Sequence, residues 1–570
     1  MRGHLQQGRG KLVGFALLSA AATAVYLLTM DRSASWWDCG EFIATGYLLQ
    51  VGHPPGAPVY QLLSHLFMLL SFGNPMLVAP LSNALSAFAG GLTVGLLFLT
   101  LCSLGCRRLS AAVGALCYLF CDTAWFSAVE SEVYSLAMLF CALDLWIALC
   151  YRRKHNVRLL LLLALLLGLG VGVHLMTLLV VPALMLIVLP TLVRRRRWGW
   201  ILPAAALFFA LGLTPYLIGP IRAAANPSIN EGNPSTPEAF MRYMKRDQYA
   251  KAPLYPRMWR ERDAANWCDW TYGLDGLAGN AVYYVNYQLG YMYGRYLMYN
   301  FIGRENLKNH RIVVFVLPFL LGLWGLLRHR RRSRCDFWIV MLLFLFGGAV
   351  LNLYLNHPCY EPRERDYAYV LSFYAFAIWI GIGADCLNLR RWQWLLLLAP
   401  LTLAVGNWGD HDRHKSHSVH DIALNHLQSC DHGALLVTLG DNDTFPLWYL
   451  QQVEHRRTDV KVCNINLNGH LATFSLIDSS LEQRPVYFSQ YFVDRFGRFY
   501  EGRLRCEGFC WRLLSAGEDP ADAAPLLRHI NDSIEWHIAE GEYLDNVSKR
   551  FLSTWESNLL LMGVAPATDK

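Results

Sequence analysis

Eleven apolar runs occupy most of the first 406 residues and constrain the fold more than any other feature of this chain. Most of them approach the length of about 20 residues that a helix needs to cross a bilayer. The spans are predicted near 12–30, 77–101, 109–128, 133–151, 158–173, 175–193, 199–218, 312–328, 336–355, 367–388 and 392–406. The sequence therefore predicts a polytopic α-helical membrane protein with about eleven transmembrane helices.

Basic clusters between these runs predict the orientation, because Lys and Arg prefer cytoplasmic loops. Arg2, Arg9 and Lys11 place the N-terminus in the cytoplasm. The later clusters fall in every second loop, at 107–108, 152–158, 194–197, 328–334 and 390–391. This alternation requires the glycine-rich segment GLGVGVH to separate two spans rather than kink a single one. Residues 31–76, residues 219–311 and everything after 406 are then predicted to lie outside.

The charge balance divides the chain into two parts. Residues 1–406 carry a net charge of +15 and residues 407–570 a net charge of −8. The basic residues stand in clusters between apolar runs, so they form no continuous stripe that could follow a nucleic acid. We expect a transmembrane domain over 1–406, a small external domain over 407–570, and no nucleic-acid partner.

The tail contains the pattern of a small α/β domain. The segment ALLVTLGDNDTFPLWYLQQVEHRRTDVKVCNINL predicts a strand, a tight turn, a helix and a second strand. Asp441, Asn442 and Asp443 stand at the carboxyl end of the first strand, where α/β sheets place ligand sites. A turn followed by an Asp helix cap would explain the same residues without a ligand.

The first external loop, SASWWDCGEFIATGYLLQVGHPPGAPVY, holds the first candidate site. Asp38 and Glu41 are three residues apart and would share one face of a helix. Trp36 and Trp37 would anchor that helix at the membrane interface. Two carboxylates held there suit a general base and a supporting partner. The alternative is structural, with Ser35 and Asp38 forming a capping box and Glu41 favouring the helix N-terminus.

The second candidate site is NHPCYEPRERDYAY (356–369), where charges crowd next to hydrocarbon. The guanidinium forks of Arg363 and Arg365 suit a phosphate, and Glu364 and Asp366 can hold those forks in place. A solvated turn beside the membrane would explain these charged residues equally well. Further candidates for anion contact on the same side of the membrane are His53, His174 and Arg222. His174 could instead be a packing histidine.

Four histidines at the start of the tail recur every three residues, at His411, His414, His417 and His420. A metal site would need ligands of recognised type and spacing, and no carboxylate or cysteine completes one here. The pattern favours the solvated face of a helix over a metal site.

Taken together, these segments resemble a membrane family first defined as a domain of unknown function. The signature D-x-G-E … HPPG-x-P appears here as DCGE … HPPGAP. The match continues through GLGVGVHLMTLL, PIRAAANPSINEGNPSTPEAF, YNFIGRENL, EPRERDYAYVLSFYAFAIWIGIG and GDNDTFPLWY. The family is widespread in Bacteroidetes-type bacteria and includes a vertebrate protein O-mannosyltransferase of plexin and MET-type receptors. The bacterial branch is the closer fit.

This resemblance implies a GT-C glycosyltransferase with a polyprenyl-phosphate sugar donor and a catalytic carboxylate in the first external loop, which maps onto Asp38 and Glu41. We expect transfer of a sugar, mannose in the vertebrate relative, to Ser or Thr hydroxyls of exported proteins. One base and one leaving phosphate suffice for inversion, without a covalent intermediate. Asp38 and Glu41 could hold a divalent metal, but a leaving lipid monophosphate does not require one and no cofactor is expected. The expected location is a bacterial inner membrane with the site facing the periplasm, or the ER membrane with the site facing the lumen if the host is eukaryotic.

Three other functions remain open from the sequence. A transporter or flippase for a lipid-linked glycan would also have many spans, although such proteins keep ionisable groups near the middle of the membrane. A glycosyltransferase could act on a glycan or a lipid instead of a protein. A scaffold or sensor could use the GDNDTF domain to bind a partner.

Overall fold

Up to the start of the tail domain, the residues that the structure describes are mostly helical. The computed structural model describes residues 2–195, 198–249, 252–259, 267–304, 316–359, 363–387, 389–515, 518, 534–538, 542 and 544–562. Seven helices in these residues are long and apolar enough to cross a membrane: Arg9–Thr29, Pro75–Ser103, Val133–Lys154, Leu175–Val193, Gly199–Ala224, Arg334–Leu355 and Asp366–Cys386. They coincide with seven of the eleven predicted spans, so the chain is a polytopic helical membrane protein as expected.

The other four predicted spans differ, and the count of eleven is not confirmed. Prediction 109–128 is a pair of helices, Arg108–Leu119 and Asp122–Ala128, bent by 66°. Prediction 158–173 is the helix Val157–Val171, whose 15 residues extend about 22 Å and fall short of a bilayer core of about 30 Å. Apolar runs in the sequence do not reveal where a helix bends or ends.

The last two of these four predictions do not correspond to one long apolar α-helix each. Prediction 312–328 begins outside the described residues, and the helix seen there is Leu317–Arg332. Prediction 392–406 is divided between a 3₁₀ helix, Arg390–Leu397, and the α-helix Leu398–His411. The proposed domain boundary at 406/407 therefore falls inside a helix.

The glycine-rich segment does separate two helices. Val157–Val171 ends before Gly172, and a 3₁₀ turn, Leu175–Val180, leads into the helix Val181–Arg195. Elsewhere glycines let helix backbones touch, as is common between helices in membranes. A Cβ on Gly383 would strike the Leu321 carbonyl, and one on Gly212 would strike the Leu165 carbonyl.

Shorter helices cover the end of the bundle on which the tail domain packs, here named the α/β side. Of the candidate site residues they carry Glu41 and Arg222, and Asp38 precedes the first of them. They are Cys39–Leu48, Pro58–Met68, Ile218–Ala224, Pro237–Lys245, Trp267–Thr271, Gly276–Tyr283, a π-helix Tyr284–Gly294, and Arg295–Ile302.

The tail folds into a five-stranded sheet with helices, which confirms the predicted α/β pattern. Its strands are β1 (Leu435–Thr438), β2 (Lys461–Asn464), β3 (Val486–Ser489), β4 (Leu504–Glu507) and β5 (Cys510–Leu513). The order is β2-β1-β3-β5-β4. Strands β2, β1 and β3 pair in parallel, and β5 pairs antiparallel with both β3 and β4. The helices are Ser418–Gln428, Phe445–Gln452, Ile465–Asn468, His470–Ser480, Gln490–Phe496 and Asn546–Leu561.

The tail domain packs directly on the first loop, and this contact corrects two predictions. Trp36 stacks on Phe551 at 5.0 Å between ring centroids, and its indole N–H donates to Ser548 at 2.8 Å. It is therefore buried against the tail rather than anchored at the membrane interface. The predicted capping box is also absent from the described first loop, because the Ser35 hydroxyl donates to Asp31 and not to the helix.

The four histidines of the tail do not form one helix face. His411 ends the helix Leu398–His411 and lies buried, with its ring nitrogens on the carbonyls of Asn407 and Asp122. His420 lies in the next helix and contacts Glu454 at 3.0 Å. The chain turns between these helices, so the three-residue spacing does not bring His414 and His417 together with the other two as a ligand set.

Gly40 makes the contact between the first loop and the tail domain possible. A Cβ at this position would lie 2.5 Å from the Phe445 carbonyl oxygen and 3.0 Å from the Pro446 nitrogen. We expect Gly40→Ala to cost about 1–3 kcal/mol, the usual range for forcing extra atoms into a packed contact. The measurement is thermal unfolding of the purified protein in detergent.

Gly409→Ala is the matched control for this substitution. Gly409 also lies in a helix, but a Cβ there would meet no atom within 4 Å. Alanine is the better helix former, so this variant should be neutral or slightly more stable. Equal stability of the two variants would contradict the proposed packing at Gly40.

Candidate active site

Asp38 stands where two cavities meet on the α/β side. It occupies the N-cap position of the helix Cys39–Leu48, and its side chain is about one-fifth exposed. One cavity has a volume of about 580 Å³ and the other about 540 Å³. Both are lined by the same five side chains, which are Asp38, His53, Arg246, Arg363 and Arg365.

The two cavities differ in their remaining walls. The larger one, here the apolar cavity, continues between aliphatic side chains of the bundle, among them Val171, Val173, Leu178, Leu179, Leu351 and Leu355. The smaller one, here the polar cavity, is closed by the tail domain. Its further lining includes Glu231, Gln248, Asp441, Asn464 and Asn466. A charged boundary therefore separates a hydrocarbon-like space from a polar one.

Glu41 and His53 form a buried pair that fixes the turn after the first helix. The Glu41 side chain is fully buried, and its Oε1 accepts the backbone N–H of His53 at 2.6 Å. Its other oxygen, Oε2, lies 2.7 Å from His53 Nδ1. A Cβ on Gly52 would strike the same carboxylate, so only glycine fits beside it. Both Glu41 oxygens are thus occupied by His53.

This pair makes His53 a fixed cation. Burial by itself would lower the pKa of His53, but the Glu41 carboxylate raises it well above its ordinary value, with help from Asp38 and Glu231. Because Nδ1 faces Glu41, the other ring nitrogen is the one available to the cavities. His53 therefore presents a positively charged N–H donor next to Asp38.

A metal ion could in principle use this same trio. Ligand atoms of Asp38, Glu41 and His53 lie within 4.8 Å of one another. Glu41 and His53 are hydrogen-bonded to each other, so an ion held by all three residues would replace that hydrogen bond and displace the ring proton. The geometry fits a carboxylate–imidazolium pair better than a metal centre.

Arg363 is held between two aromatic rings beside Asp38. Its guanidinium carbon lies 4.7 Å from the Trp37 ring centroid and 4.4 Å from that of Tyr367. One of its nitrogens is 3.8 Å from an Asp38 carboxylate oxygen. The Tyr367 hydroxyl oxygen also accepts an N–H from Arg365 at 2.6 Å. The guanidinium groups of Arg363 and Arg365 therefore both lie at the Tyr367 side chain, and Trp37 stacks on Arg363.

The GDNDTF turn reaches this site from the tail. Asn442 accepts the backbone N–H of Trp37 at 2.7 Å and so connects the turn to the first loop. Asp443 accepts the N–H groups of Leu439 and Gly440, which closes the turn after β1. Of the three predicted residues Asp441, Asn442 and Asp443, Asp441 alone lines the polar cavity, and burial together with Asp38 raises its pKa to about 7.

His174 lies on the wall of the apolar cavity. Its Nδ1 accepts the backbone N–H of Met176 at 3.1 Å, so the ring proton is on the other nitrogen. Burial, with the Arg246 charge as the second cause, lowers the pKa of His174 to about 4. It is therefore a neutral N–H donor, and its ring packs edge-on against Tyr134 at 5.6 Å.

Three predicted site residues are placed elsewhere. Arg222 donates to the Leu48 and Leu49 carbonyls and so caps the end of the first-loop helix, away from both cavities. Glu364 accepts hydrogen bonds from Arg295 and Tyr296, and Asp366 accepts one from Thr123 at 2.6 Å. Glu364 and Asp366 hold neighbouring helices together and do not orient the forks of the two arginines.

Sequence reasoning missed three charged residues of the site. Glu132 is buried on the wall of the apolar cavity, and two acidic residues in the four-residue loop 129–132 were a usable signal. Burial, together with Asp38, raises the pKa of Glu132 well above its ordinary value. Arg246 and Glu231 come from the long loop 219–311, where they follow no pattern that distinguishes them from other charged residues.

The comparison with protein families matches two separate parts of the chain. Residues 38–197 match the protein O-mannosyl-transferase TMEM260 N-terminal domain, beginning at Asp38 itself. Residues 419–470, which include the GDNDTF turn, match TMEM260-associated domain 2. In both of these parts the chain is similar to the TMEM260 family. This similarity agrees with the family resemblance found in the sequence.

Two curated TMEM260 relatives align along most of this chain. The mouse protein O-mannosyl-transferase TMEM260 is 23% identical over 479 residues, which cover 80% of this chain and 62% of the relative. The Dictyostelium discoideum protein O-mannosyl-transferase tmem260 is 26% identical over 518 residues, covering 83% and 59%. The chain thus spans about three-fifths of the length of these relatives.

Solved structures with a similar fold are distant from this chain in sequence. ArnT from Cupriavidus metallidurans in the apo state has a TM-score of 0.39 at 13% identity, covering 89% of this chain and 97% of ArnT. Archaeal oligosaccharyltransferase AglB from Archaeoglobus fulgidus has a TM-score of 0.47 at 10% identity, covering 87% and 71%.

The Glu41–His53 pair should stabilise the protein most at low and neutral pH. Since the pair raises the pKa of His53, its contribution is complete below the ordinary histidine value of about 6.5 and is lost as pH rises through the raised value. We expect Glu41→Gln to cost about 3 kcal/mol at pH 6, as breaking a buried pair usually does, and less at pH 10.

Thermal unfolding across this pH range measures the effect. Glu238→Gln makes the same chemical change at an exposed helix position and should change stability little at any pH. A loss in Glu41→Gln that is constant from pH 6 to pH 10 would show that the carboxylate does not act through the charge of His53.

Proposed function

We propose that this protein is a GT-C-type glycosyltransferase that moves a sugar, mannose by analogy with its relatives, from a polyprenyl phosphate to Ser or Thr hydroxyls of exported proteins. The observation that carries this proposal is a single carboxylate, Asp38, on the wall shared by an apolar and a polar cavity. The names of the mouse and Dictyostelium relatives support the class of reaction.

The apolar cavity suits the donor. Its aliphatic walls would accept the first isoprene units of the lipid, and its charged end would receive the phosphate. Arg363 and Arg365 offer guanidinium forks there, His53 adds a charged N–H, and neutral His174 adds a further donor. The sugar then lies between the phosphate and Asp38.

The polar cavity suits the acceptor, and the reaction is a direct displacement. The acceptor oxygen forms a bond to the anomeric carbon while the bond from that carbon to the phosphate oxygen breaks. The acceptor proton passes to Asp38, and the lipid monophosphate leaves with one more negative charge. Attack from the side opposite to the phosphate inverts the anomeric centre.

Fixed cations stabilise the charge that grows on the leaving phosphate. The stacking of Arg363 on Trp37 and Tyr367, and the pairing of His53 with Glu41, hold these groups in place before the reaction begins. Such prearranged charges lower the barrier because they need no reorganisation. Since a monophosphate leaves and Glu41 is occupied, we propose that no metal cofactor takes part.

The location of the charged groups favours this reaction over the transporter alternative. The five shared side chains lie on the α/β side, at or beyond the ends of the spans, where a donor headgroup would meet an exported acceptor. We propose that this side faces the periplasm of a bacterial inner membrane.

Replacing Asp38 tests the proposed base. Asp38→Asn keeps the size of the side chain but cannot accept the acceptor proton, so the transfer rate should fall by at least about 100-fold. The measurement is sugar transfer from a polyprenyl-phosphate mannose to a Ser/Thr peptide by protein purified in detergent.

Asp478→Asn provides the matched control on an exposed surface of the tail domain and should transfer at the normal rate. Donor binding by Asp38→Asn should be retained. Full transfer activity in this variant would exclude Asp38 as the base.

Arg363→Lys tests the phosphate contact. Lysine keeps the charge but loses the fork and the stacking on two rings, so the KM for the donor should rise about tenfold while the KM for the peptide changes little. Arg498→Lys, at an exposed position of the tail domain, should behave as the unaltered protein. Equal rises in both KM values would contradict a specific donor role.

A further inference from the structure

The polar cavity contains charges that the transfer step does not use. Of the charged residues lining it, all three arginines and His53 also line the apolar cavity, where the donor phosphate would neutralise them. The charged residues that line the polar cavity but not the apolar one are Glu231 and Asp441. With a donor bound, the acceptor side of the site is therefore acidic.

Glu231 is unusual because its carboxyl group is buried without a partner. The residue is 6% exposed, and neither carboxylate oxygen has a hydrogen-bond partner within the part of the chain that the structure describes. A buried carboxylate without partners is costly, and such a group normally meets a cation or a donor in the working state. Its backbone N–H donates to the Val51 carbonyl at 3.1 Å, which fixes it beside the His53 turn.

Asp441 faces the same space from the tail domain. It stands in the turn that Asn442 and Asp443 hold rigid, so its carboxylate cannot withdraw from the cavity by moving the backbone. The two carboxylates come from different parts of the chain, the long loop and the tail, and converge on one cavity of about 540 Å³. Asn464, Asn466 and Gln248 add neutral polar groups around them.

We infer that Glu231 and Asp441 form a subsite for a cationic side chain, Lys or Arg, that lies next to the hydroxyl of the protein acceptor. This inference rests on the proposed function and specifies which acceptors that function would use. A bound ammonium or guanidinium group would give Glu231 the partner that it lacks. It would also place the positive charge of the acceptor away from the donor arginines.

The surroundings predict how the subsite responds to pH. Burial, with Glu41 as the second cause, raises the pKa of Glu231 well above its ordinary value, and burial with Asp38 raises that of Asp441 to about 7. The charged groups facing the two carboxylates are Asp38, Glu41, His53, Arg246, Arg363 and Arg365. Since a cation binds an ionised carboxylate, its binding should strengthen as pH rises through about 7, where Asp441 ionises.

Peptide binding tests the subsite without requiring transfer. The probes are fluorescent Ser-containing peptides that differ only in one residue near the serine, which is Lys, norleucine or Glu. Binding to the full-length protein in detergent is measured by anisotropy, with a polyprenyl monophosphate present to occupy the arginines. We expect the Lys peptide to bind at least about tenfold more tightly than the norleucine peptide, a difference of about 1.4 kcal/mol.

Variants separate the subsite from the rest of the protein. Glu231→Gln with Asp441→Asn should reduce the Lys preference to less than about twofold, whereas the surface control Asp478→Asn should keep it. Asp441→Lys should reverse the preference toward the Glu peptide. If the double variant fails to fold, the single reversal at the tail turn still decides the matter, because the Asp441 side chain faces the open space of the polar cavity and can be replaced there.

The outcomes distinguish this inference from the proposed function. Equal binding of all three peptides, or a Lys preference that survives in both variants, would overturn the subsite even if sugar transfer proceeds. A Lys preference that the variants abolish, in a protein that transfers no sugar, would support the subsite and reject the transferase.

Discussion

The contact between Glu41 and His53 is the interaction on which the site depends. Glu41 uses both oxygens on a single residue, one for the backbone N–H and one for the ring, so it fixes the position and the charge of His53 together. The turn that contains His53 lines both cavities. Asp38 stands one helical turn before Glu41, and its place is thereby set as well. A buried pair of this kind has little net stabilising value against an apolar packing, and its role here is to position charge.

The tail domain forms part of the site. Asn442 binds the backbone of Trp37, Trp36 packs against the last helix, and Gly40 allows the first-loop helix to touch Phe445. These three contacts lie on both sides of Asp38 in the sequence. The loop that carries the proposed base can therefore adopt its conformation only when the tail is folded against it, and the polar cavity exists only between the two parts.

The sequence predicted the elements of the site better than their contacts. Alternating basic loops and apolar runs located seven spans, and three of the predicted site residues, Asp38, His53 and Arg363, lie together on the wall shared by the two cavities. The misplacement of Arg222 has a simple physical origin, because backbone carbonyls compete with a ligand for the same cation. Arg222 has the right type and position for a phosphate, yet its guanidinium binds the carbonyls that end the first-loop helix. No local pattern could reveal Glu231, because its place in the site depends on the long loop packing against the first loop, which is far away in the sequence.

The boundary between the two cavities explains why so many charges occur in one place. A lipid-linked donor and a polar acceptor prefer different surroundings, and the reacting atoms must meet where both can reach. A neutral boundary would leave a lipid phosphate unpaired at the edge of hydrocarbon, which is costly. Arginines alone would attract the phosphate but also repel a cationic acceptor. Placing carboxylates on the acceptor side and cations on the shared wall resolves this conflict, because each substrate then neutralises the charges that face it.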